Sequence, residues 1–283
     1  MTGGGVTAGG PARAVRVAVP AAEAELAADA LWQAGAAAIE ERPGELVAAA
    51  ADGADPAPLL AAVAGRWPAA VEAVDLDAAL DAWRGHARPV VVGRRLVVHP
   101  PWAPPAPGVA AGRCPVVIDP GRAFGHGAHA STRLVLAALD DLVRGGERVL
   151  DLGCGSGVLA VAALVLGAAT AVGVDVDPAA LAATVDNGRR NRVADRLTVV
   201  EDAAGTPALA PGYDLVVANM LLPDLVELAP TVERSLAAGG TAVVSGVLDA
   251  QRDRLAAAYR AVGLAPLGSG GEDGWLALTL RAG

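Results

Sequence analysis

A glycine-rich turn between an apolar strand and a helix is the feature that most restricts the fold of this chain. The sequence VLDLGCGSG, residues 149–157, places Asp151 at the end of the apolar stretch and glycines at 153, 155 and 157 before the next helical segment. Glycines at such a turn let a ligand touch the backbone, and the helix N-terminus offers free N–H groups. The turn therefore predicts a ligand site at the carboxyl end of a buried strand.

The spacing of the glycines separates the candidate ligands. A dinucleotide fingerprint, G-x-G-x-x-G, that starts at Gly153 and Gly155 requires its third glycine at position 158, where the chain has Val158. The observed third glycine comes one residue earlier. This spacing disfavours NAD-dependent hydride transfer, and a tight turn with no ligand stays open as the structural alternative.

Acidic residues follow the next two predicted strands. Asp175 ends the strand in GVDVD, where its carboxylate can accept hydrogen bonds from both ribose hydroxyls of a nucleoside. Glu201 and Asp202 follow the third strand, where they can accept a hydrogen bond from an adenine amino group. Together with the glycine turn, these positions predict an adenosine pocket.

The order of predicted elements divides the chain into two domains. After a flexible tail over residues 1–12, the order β-α-β-β-α-β within 13–99 predicts a small ferredoxin-like α+β domain and a connection. The proline-rich segment 100–112 is predicted to be a stiff linker. Regular alternation of strands and helices over 113–283 predicts an α/β domain with a mostly parallel sheet and a C-terminal antiparallel hairpin.

Composition removes several classes of function. All 22 positively charged side chains are Arg, so Schiff-base chemistry and a lysine-bearing phosphate loop are excluded. The net charge of −9 gives no basic footprint for nucleic acid, and it suits a basic protein partner. Two cysteines and the absence of a signal-peptide pattern predict a cytoplasmic protein. His126 and His129 lack a third ligand, so no metal site is predicted.

The motifs of the second domain resemble a known family. DLGCGSG, GVDVD, the Glu201-Asp202 pair and a strand-end Asn219 are the pattern of class I S-adenosylmethionine-dependent methyltransferases. The segments IDPGRAFGHGAHASTRLVLAALD and VVANMLLPDLVELAP resemble, more specifically, the PrmA family, the methyltransferases of ribosomal protein L11. The resemblance covers the chain beyond the tail and is weaker for the first domain.

The resemblance implies a function and a set of site residues. It implies methyl transfer from S-adenosylmethionine to α-amino and lysine groups of a large-subunit ribosomal protein, by a Rossmann-like domain that acts without direct nucleic-acid or membrane contact. We expect a monomer. Asn219 is the expected catalytic residue, and the expected cofactor-binding residues are Thr132, Gly153, Gly155, Asp175, Asp202 and Asn219.

One loop departs from the family pattern and leaves alternatives open. His126 and Ala128 stand where the family has threonines. A methyltransferase for a small molecule or for a different protein is one alternative. A non-catalytic ribosome-assembly factor that retains the cofactor fold is another, and a NAD-dependent oxidoreductase is the weakest.

Overall fold

The computed structural model describes residues 12–20, 23–36, 38–50, 54–74, 87–119, 127–202 and 211–282. The chain divides into two compact units between residues 86 and 87. Each unit has its own hydrophobic core, and each is described by itself below.

In its described residues, the first unit has a four-stranded antiparallel sheet and two helices. Its elements, in chain order, are β1 (Ala12–Ala18), α1 (Ala24–Gln33), β2 (Ala38–Arg42), β3 (Glu45–Ala49), α2 (Ala57–Val63) and β4 (Ala69–Val74). The strand order β2-β3-β1-β4 is that of a ferredoxin-like fold, as predicted. In β1, Val15 and Val17 are fully buried in the core, whereas Arg16 between them pairs with Glu45 and Glu72 on the other face of the sheet.

The second unit begins with a small sheet, which is followed by the main α/β domain. The small sheet has the order β5-β6-β7. Its elements are β5 (Val90–Val92), β6 (Leu96–His99), α3 (Pro107–Ala110) and β7 (Cys114–Val117). The main domain contains α4 (Ala130–Leu142), β8 (Arg148–Leu152), α5 (Val158–Leu166), β9 (Thr170–Asp175), α6 (Pro178–Arg190), β10 (Leu197–Glu201), β11 (Tyr213–Asn219), α7 (Leu222–Ser235), β12 (Leu236–Leu248), a 3-10 turn, α8 (Arg252–Ala261), β13 (Leu264–Glu272) and β14 (Trp275–Ala282).

The large sheet has the order β10-β9-β8-β11-β12-β14-β13. The five neighbouring strands β10, β9, β8, β11 and β12 pair in parallel. Strand β14 pairs antiparallel with both β12 and β13. The mostly parallel sheet and the antiparallel C-terminal hairpin predicted from the sequence are thus confirmed. The chain runs from β8 to β10 in one direction and then returns to β11 on the other side of β8, which creates a topological switch point between β8 and β11. Ligands bind at such points in open α/β sheets.

The proline-rich segment 100–112 lies inside the second unit. Strands β6 and β7 pair in parallel, from Leu96 opposite Cys114 to His99 opposite Val117, so the segment is the crossover that joins them. Leu96 and Val98 are buried in the same core as α5. The division between the units, at residues 86 and 87, therefore differs from the predicted linker, because β5 and β6 pack with the second unit.

Two features predicted from the sequence fall outside the described residues. They are nearly all of the tail over residues 1–12, and His126 in the loop that departs from the family pattern. In the part of the chain that is described, no helix combines the length and apolar character needed to cross a membrane.

Candidate functional site

The predicted site residues meet at the carboxyl ends of adjacent strands. Leu152 of β8 lies opposite Val174 of β9 on one side and Ala218 of β11 on the other. One residue further along, this register brings Gly153 level with Asp175 and Asn219. The strand β10 adds Glu201, which lies directly opposite Asp175. The side chains at the switch point are thus fixed by strand register.

The glycine turn has a backbone that only glycine adopts readily. Gly153, Gly155 and Gly157 have φ values of +69°, +54° and +76°. The backbone N–H groups of Gly153 and Cys154 both donate to Val174 O, at 2.8 and 2.9 Å, which anchors the turn on β9. A Cβ built on Gly153 would stand 2.9 Å from Met220 Sδ, so a side chain at this position would collide with Met220.

The Asp175 carboxylate ties β9 to the glycine turn. Its Oδ2 accepts a hydrogen bond from Gly155 N at 2.9 Å, and its Oδ1 accepts one from Asp177 N at 3.0 Å. Each carboxylate oxygen can accept more than one hydrogen bond, and Asp175 is only partly buried. The carboxylate is therefore held in one orientation and still has capacity to accept from a ligand.

Asp151 is completely buried at the end of β8. Its Oδ2 accepts a hydrogen bond from Ala160 N, in the first turn of α5, at 3.1 Å, and its Oδ1 has no hydrogen-bond partner. Burial, aided by the negative charge of Asp175, raises the pKa of the Asp151 carboxyl to about 7. Sequence reasoning placed Asp151 in the motif without assigning it a role, since burial cannot be seen in a motif.

Asn219 ends β11 and contacts Thr132 of α4. Asn219 Nδ2 donates to Thr132 Oγ1 at 3.1 Å, and Thr132 is buried. The next residue, Met220, donates its N–H to Ser245 O at 3.0 Å. A Cβ on Gly246, whose φ is +94°, would clash with the Met220 backbone, so glycine is required there. The two predicted residues Asn219 and Thr132 are brought together although 87 positions separate them.

Asp202 lies beside Asp175 at the end of the third strand of the motif. Its backbone N–H donates to Asp175 O at 3.1 Å, and its side chain is largely buried. Val176, which follows Asp175 in the chain, is exposed by 62%.

The histidine and cysteine near the site have local structural contacts. His129 Nδ1 lies 2.8 Å from Ser131 Oγ, and the His129 ring packs edge-on against Trp275 at 4.7 Å. Burial raises the pKa of the Cys154 thiol to about 12, so this thiol is protonated at neutral pH and is a poor nucleophile. Among the described residues, no three His, Cys, Asp or Glu side chains form a group that could hold a metal ion.

Comparison with known proteins identifies the family of this chain. The model of the ribosomal protein L11 methyltransferase (PrmA) family matches residues 60–282. The chain belongs to the PrmA family. The fold is accordingly that of class I S-adenosylmethionine-dependent methyltransferases, as the resemblance implied.

Relatives with the same family name are similar over most of the chain. The ribosomal protein L11 methyltransferase of Symbiobacterium thermophilum is 43% identical over 199 residues, which are 70% of this chain and 63% of that protein. That of Chromohalobacter salexigens is 44% identical over 204 residues, 71% of this chain and 65% of the relative. The chain thus spans slightly less than two thirds of the length of these relatives.

A crystal structure shows the same fold. The ribosomal protein L11 methylase of Lactobacillus delbrueckii subsp. bulgaricus superposes with a TM-score of 0.63 at 25% identity. The match covers 69% of this chain and all of that chain.

Proposed function

We propose that this protein transfers methyl groups from S-adenosylmethionine to amino groups of ribosomal protein L11. The observation that carries the proposal is the row of polar strand ends at the switch point, where Asp175, the glycine turn and Asn219 lie side by side in a chain of the PrmA family. The relatives that match this chain are named ribosomal protein L11 methyltransferases, which supports ribosomal protein L11 as the substrate.

The charges of the site favour a cationic ligand over a dinucleotide. S-adenosylmethionine carries a sulfonium and an ammonium group against one carboxylate, so its net charge is positive. Asp175 and Asp202 lie at adjoining strand ends and suit such a ligand. In dinucleotide sites the pyrophosphate binds at the helix N-terminus, but here Ala160 N in the first turn of α5 is taken by the Asp151 carboxylate.

The residues of the site match the parts of the adenosine group. Asp175 would hold the ribose hydroxyls with the acceptor capacity left by its two backbone contacts. Asp202 would accept from the adenine amino group, and the exposed Val176 offers an apolar surface for the purine ring. Gly153 and Gly155 would allow the ligand to approach the turn.

Asn219 would orient the acceptor nitrogen. S-adenosylmethionine supplies an electrophilic methyl group, which an amine attacks in line, so the protein must mainly fix the reacting distance. Because Asn219 Nδ2 donates to Thr132 Oγ1, the amide is oriented with Oδ1 available to accept a hydrogen bond from an amine N–H. This hydrogen bond would direct the nitrogen lone pair toward the methyl group without adding a charge.

The ease of reaction differs between the two kinds of amine. At pH 7, deprotonating a lysine costs about 4 to 5 kcal/mol, whereas an α-amino group costs about 1 kcal/mol. An α-amino group is therefore the easier acceptor. A lysine acceptor requires that the site lower its pKa by desolvation.

We further propose how the protein works in the cell. The first unit would recruit the ribosomal protein, because the cofactor motifs lie in the second unit, and the net charge of −9 would steer a basic partner. We expect a monomer that makes no direct contact with nucleic acid and works in the cytoplasm. Both cysteines are free thiols, which agrees with a reducing compartment.

Methyl transfer to purified ribosomal protein L11 tests the proposal. With methyl-labelled S-adenosylmethionine, we expect label in the protein and an increase of its intact mass by whole methyl groups. Cofactor binding without label transfer to any ribosomal protein would favour the assembly-factor alternative. Label that appears only in small molecules of a cell extract would favour the small-molecule alternative.

A further inference from the structure

The buried face of α6 contacts the backbone of the glycine turn. Thr184 and Asn187 are both fully buried, and both lie on the side of α6 that faces this turn. Polar side chains are seldom buried in a helix unless their hydrogen bonds are satisfied. Here the partners are backbone groups outside the helix, so these residues do more than complete a core.

Asn187 joins two backbone segments. Its Nδ2 donates to Ser156 O in the glycine turn and to Asp119 O just after β7, both at 2.9 Å. Its Oδ1 accepts from Asp119 N at 3.0 Å. Only this orientation of the amide satisfies all three contacts, because a flipped amide would turn its oxygen toward two carbonyl oxygens.

Thr184 holds Gly155, the residue of the turn that precedes Ser156. Thr184 Oγ1 donates to Gly155 O at 2.9 Å. A Cβ built on Gly157 would stand 2.8 Å from Thr184 Oγ1, so this side chain also fills the space over the left-handed Gly157. Two consecutive carbonyls of the turn, those of Gly155 and Ser156, thus accept hydrogen bonds from one face of α6.

Asn191, the partly buried residue that caps the C-terminal end of α6, provides a comparison. Its Nδ2 donates to Val117 O at 2.7 Å and to Asn187 O at 2.8 Å, and its Oδ1 accepts from Val117 N at 2.8 Å. The pattern is the same as that of Asn187, with three contacts to backbone groups. The two residues differ in burial and in one acceptor, since the second Nδ2 hydrogen bond of Asn191 goes to Asn187 O and that of Asn187 goes to Ser156 O in the glycine turn.

We propose that Thr184 and Asn187 are positioning residues, which hold the carbonyls of Gly155 and Ser156 and thereby fix the backbone of the turn in the conformation that the cofactor contacts. The inference rests on the proposed function, because it assigns these residues to the same cofactor site. Neither residue touches the cofactor. They act through the backbone of the turn, whose Gly155 N–H is also fixed by Asp175.

Calorimetric titration with S-adenosylhomocysteine tests this inference on the full chain. We expect Asn187→Ala and Thr184→Val to raise Kd about tenfold, the effect of losing a buried hydrogen bond that orders the site. Asn191→Ala should leave Kd within about twofold, although this variant also loses three hydrogen bonds to backbone groups and should melt at a lower temperature than wild type. Thr184→Ser, which keeps the hydroxyl, should restore most of the affinity that Thr184→Val loses.

The outcomes separate positioning from general stability. If Asn187→Ala does not fold, the comparison of Thr184→Val with Thr184→Ser decides alone. Kd values within twofold of wild type in Thr184→Val, or an equal loss of affinity in Asn191→Ala and Asn187→Ala, would overturn the inference. A wild-type protein that binds no S-adenosylhomocysteine would instead overturn the proposed function, and the inference with it.

Discussion

Asp175 is the single residue on which the cofactor assignment depends most. A hydrogen bond to a charged carboxylate contributes about 1.5 to 3 kcal/mol, so Asp175→Ala should weaken binding of S-adenosylhomocysteine at least about tenfold. The same change removes the acceptor of Gly155 N, which adds to the loss. Calorimetry measures the effect, and unchanged affinity would contradict the ribose assignment. Titration with NADH should give no saturable heat.

Asn219 should matter more for turnover than for folding. Its side chain is only partly buried and contacts Thr132, so Asn219→Ala removes one side-chain hydrogen bond from the fold. The melting temperature should change little, while methyl transfer at saturating cofactor should fall by about an order of magnitude or more. Loss of stability with full specific activity would show that Asn219 serves the structure instead.

Asp151 should make stability depend on pH. Burial raises its pKa from 3.8 to about 7, so between these values the folded protein holds a proton that the unfolded chain has released. This carboxyl therefore lowers the free energy of unfolding as pH rises from about 4 to 7, by at most roughly 4 kcal/mol, and contributes no further change above that range.

Asp151→Asn removes this titration. The stability of the variant relative to wild type should increase between pH 5 and pH 8, which urea unfolding at both values can measure. A difference between the two proteins that is the same at both pH values would mean that Asp151 is already ionised in the folded protein at pH 5.

At the scale of elements, a buried carboxylate attaches the β5–β6 hairpin to α4. Asp140 of α4 accepts hydrogen bonds from Arg94 N at 2.7 Å and from Arg95 Nε at 2.8 Å. Burial by itself raises the pKa of Asp140, but these hydrogen bonds outweigh it and hold the pKa below its ordinary value. The attachment therefore stabilises the fold at neutral pH and weakens as pH falls through the lowered pKa.

Asp140→Asn should lower the free energy of unfolding by about 1 to 3 kcal/mol at pH 7, because the amide cannot accept all of these hydrogen bonds. Asp141→Asn is the control. The Asp141 carboxylate pairs with Arg94 on the surface, where both side chains are at least 70% exposed, so its loss should change stability little. Urea unfolding of the two variants compares them, and equal effects would show that the buried pair adds nothing.

For the whole molecule, the division at residues 86 and 87 determines which fragments should fold. A fragment of residues 87–283 keeps β5 and β6 and should bind S-adenosylhomocysteine about as well as the full chain. A fragment of residues 113–283 lacks Leu96 and Val98, which are buried in the core of the second unit, and should melt at a clearly lower temperature. Thermal melts of both fragments test this, and equal melting temperatures would contradict it.

Fragment 87–283 also tests the role of the first unit. If that unit recruits the ribosomal protein, its removal should raise KM for the protein substrate with little change in kcat, because the lost contacts lie far from the reacting nitrogen. Undiminished kcat/KM for ribosomal protein L11 would show that the first unit is not the recruiter.

The sequence by itself determined the features that depend on neighbouring residues. The glycine turn, the strand ends at Asp175 and Asn219, and the order of elements along the two predicted domains follow from turn chemistry and from local hydrophobic patterns. Once β9, β8 and β11 pair in the observed register, these strand ends lie side by side, which is why the predicted site residues lie in one place.

Only the tertiary structure decided the features that depend on distant partners. The proline-rich segment has the same local composition whether it joins two domains or crosses between β6 and β7, and only their pairing settles which it is. Asn187 and Asn191 are the same type of residue and lie one helical turn apart. Only their contacts with different backbone segments distinguish them. The burial of Asp151 and of Asp140 likewise arises from packing of separate elements, and no local pattern encodes it.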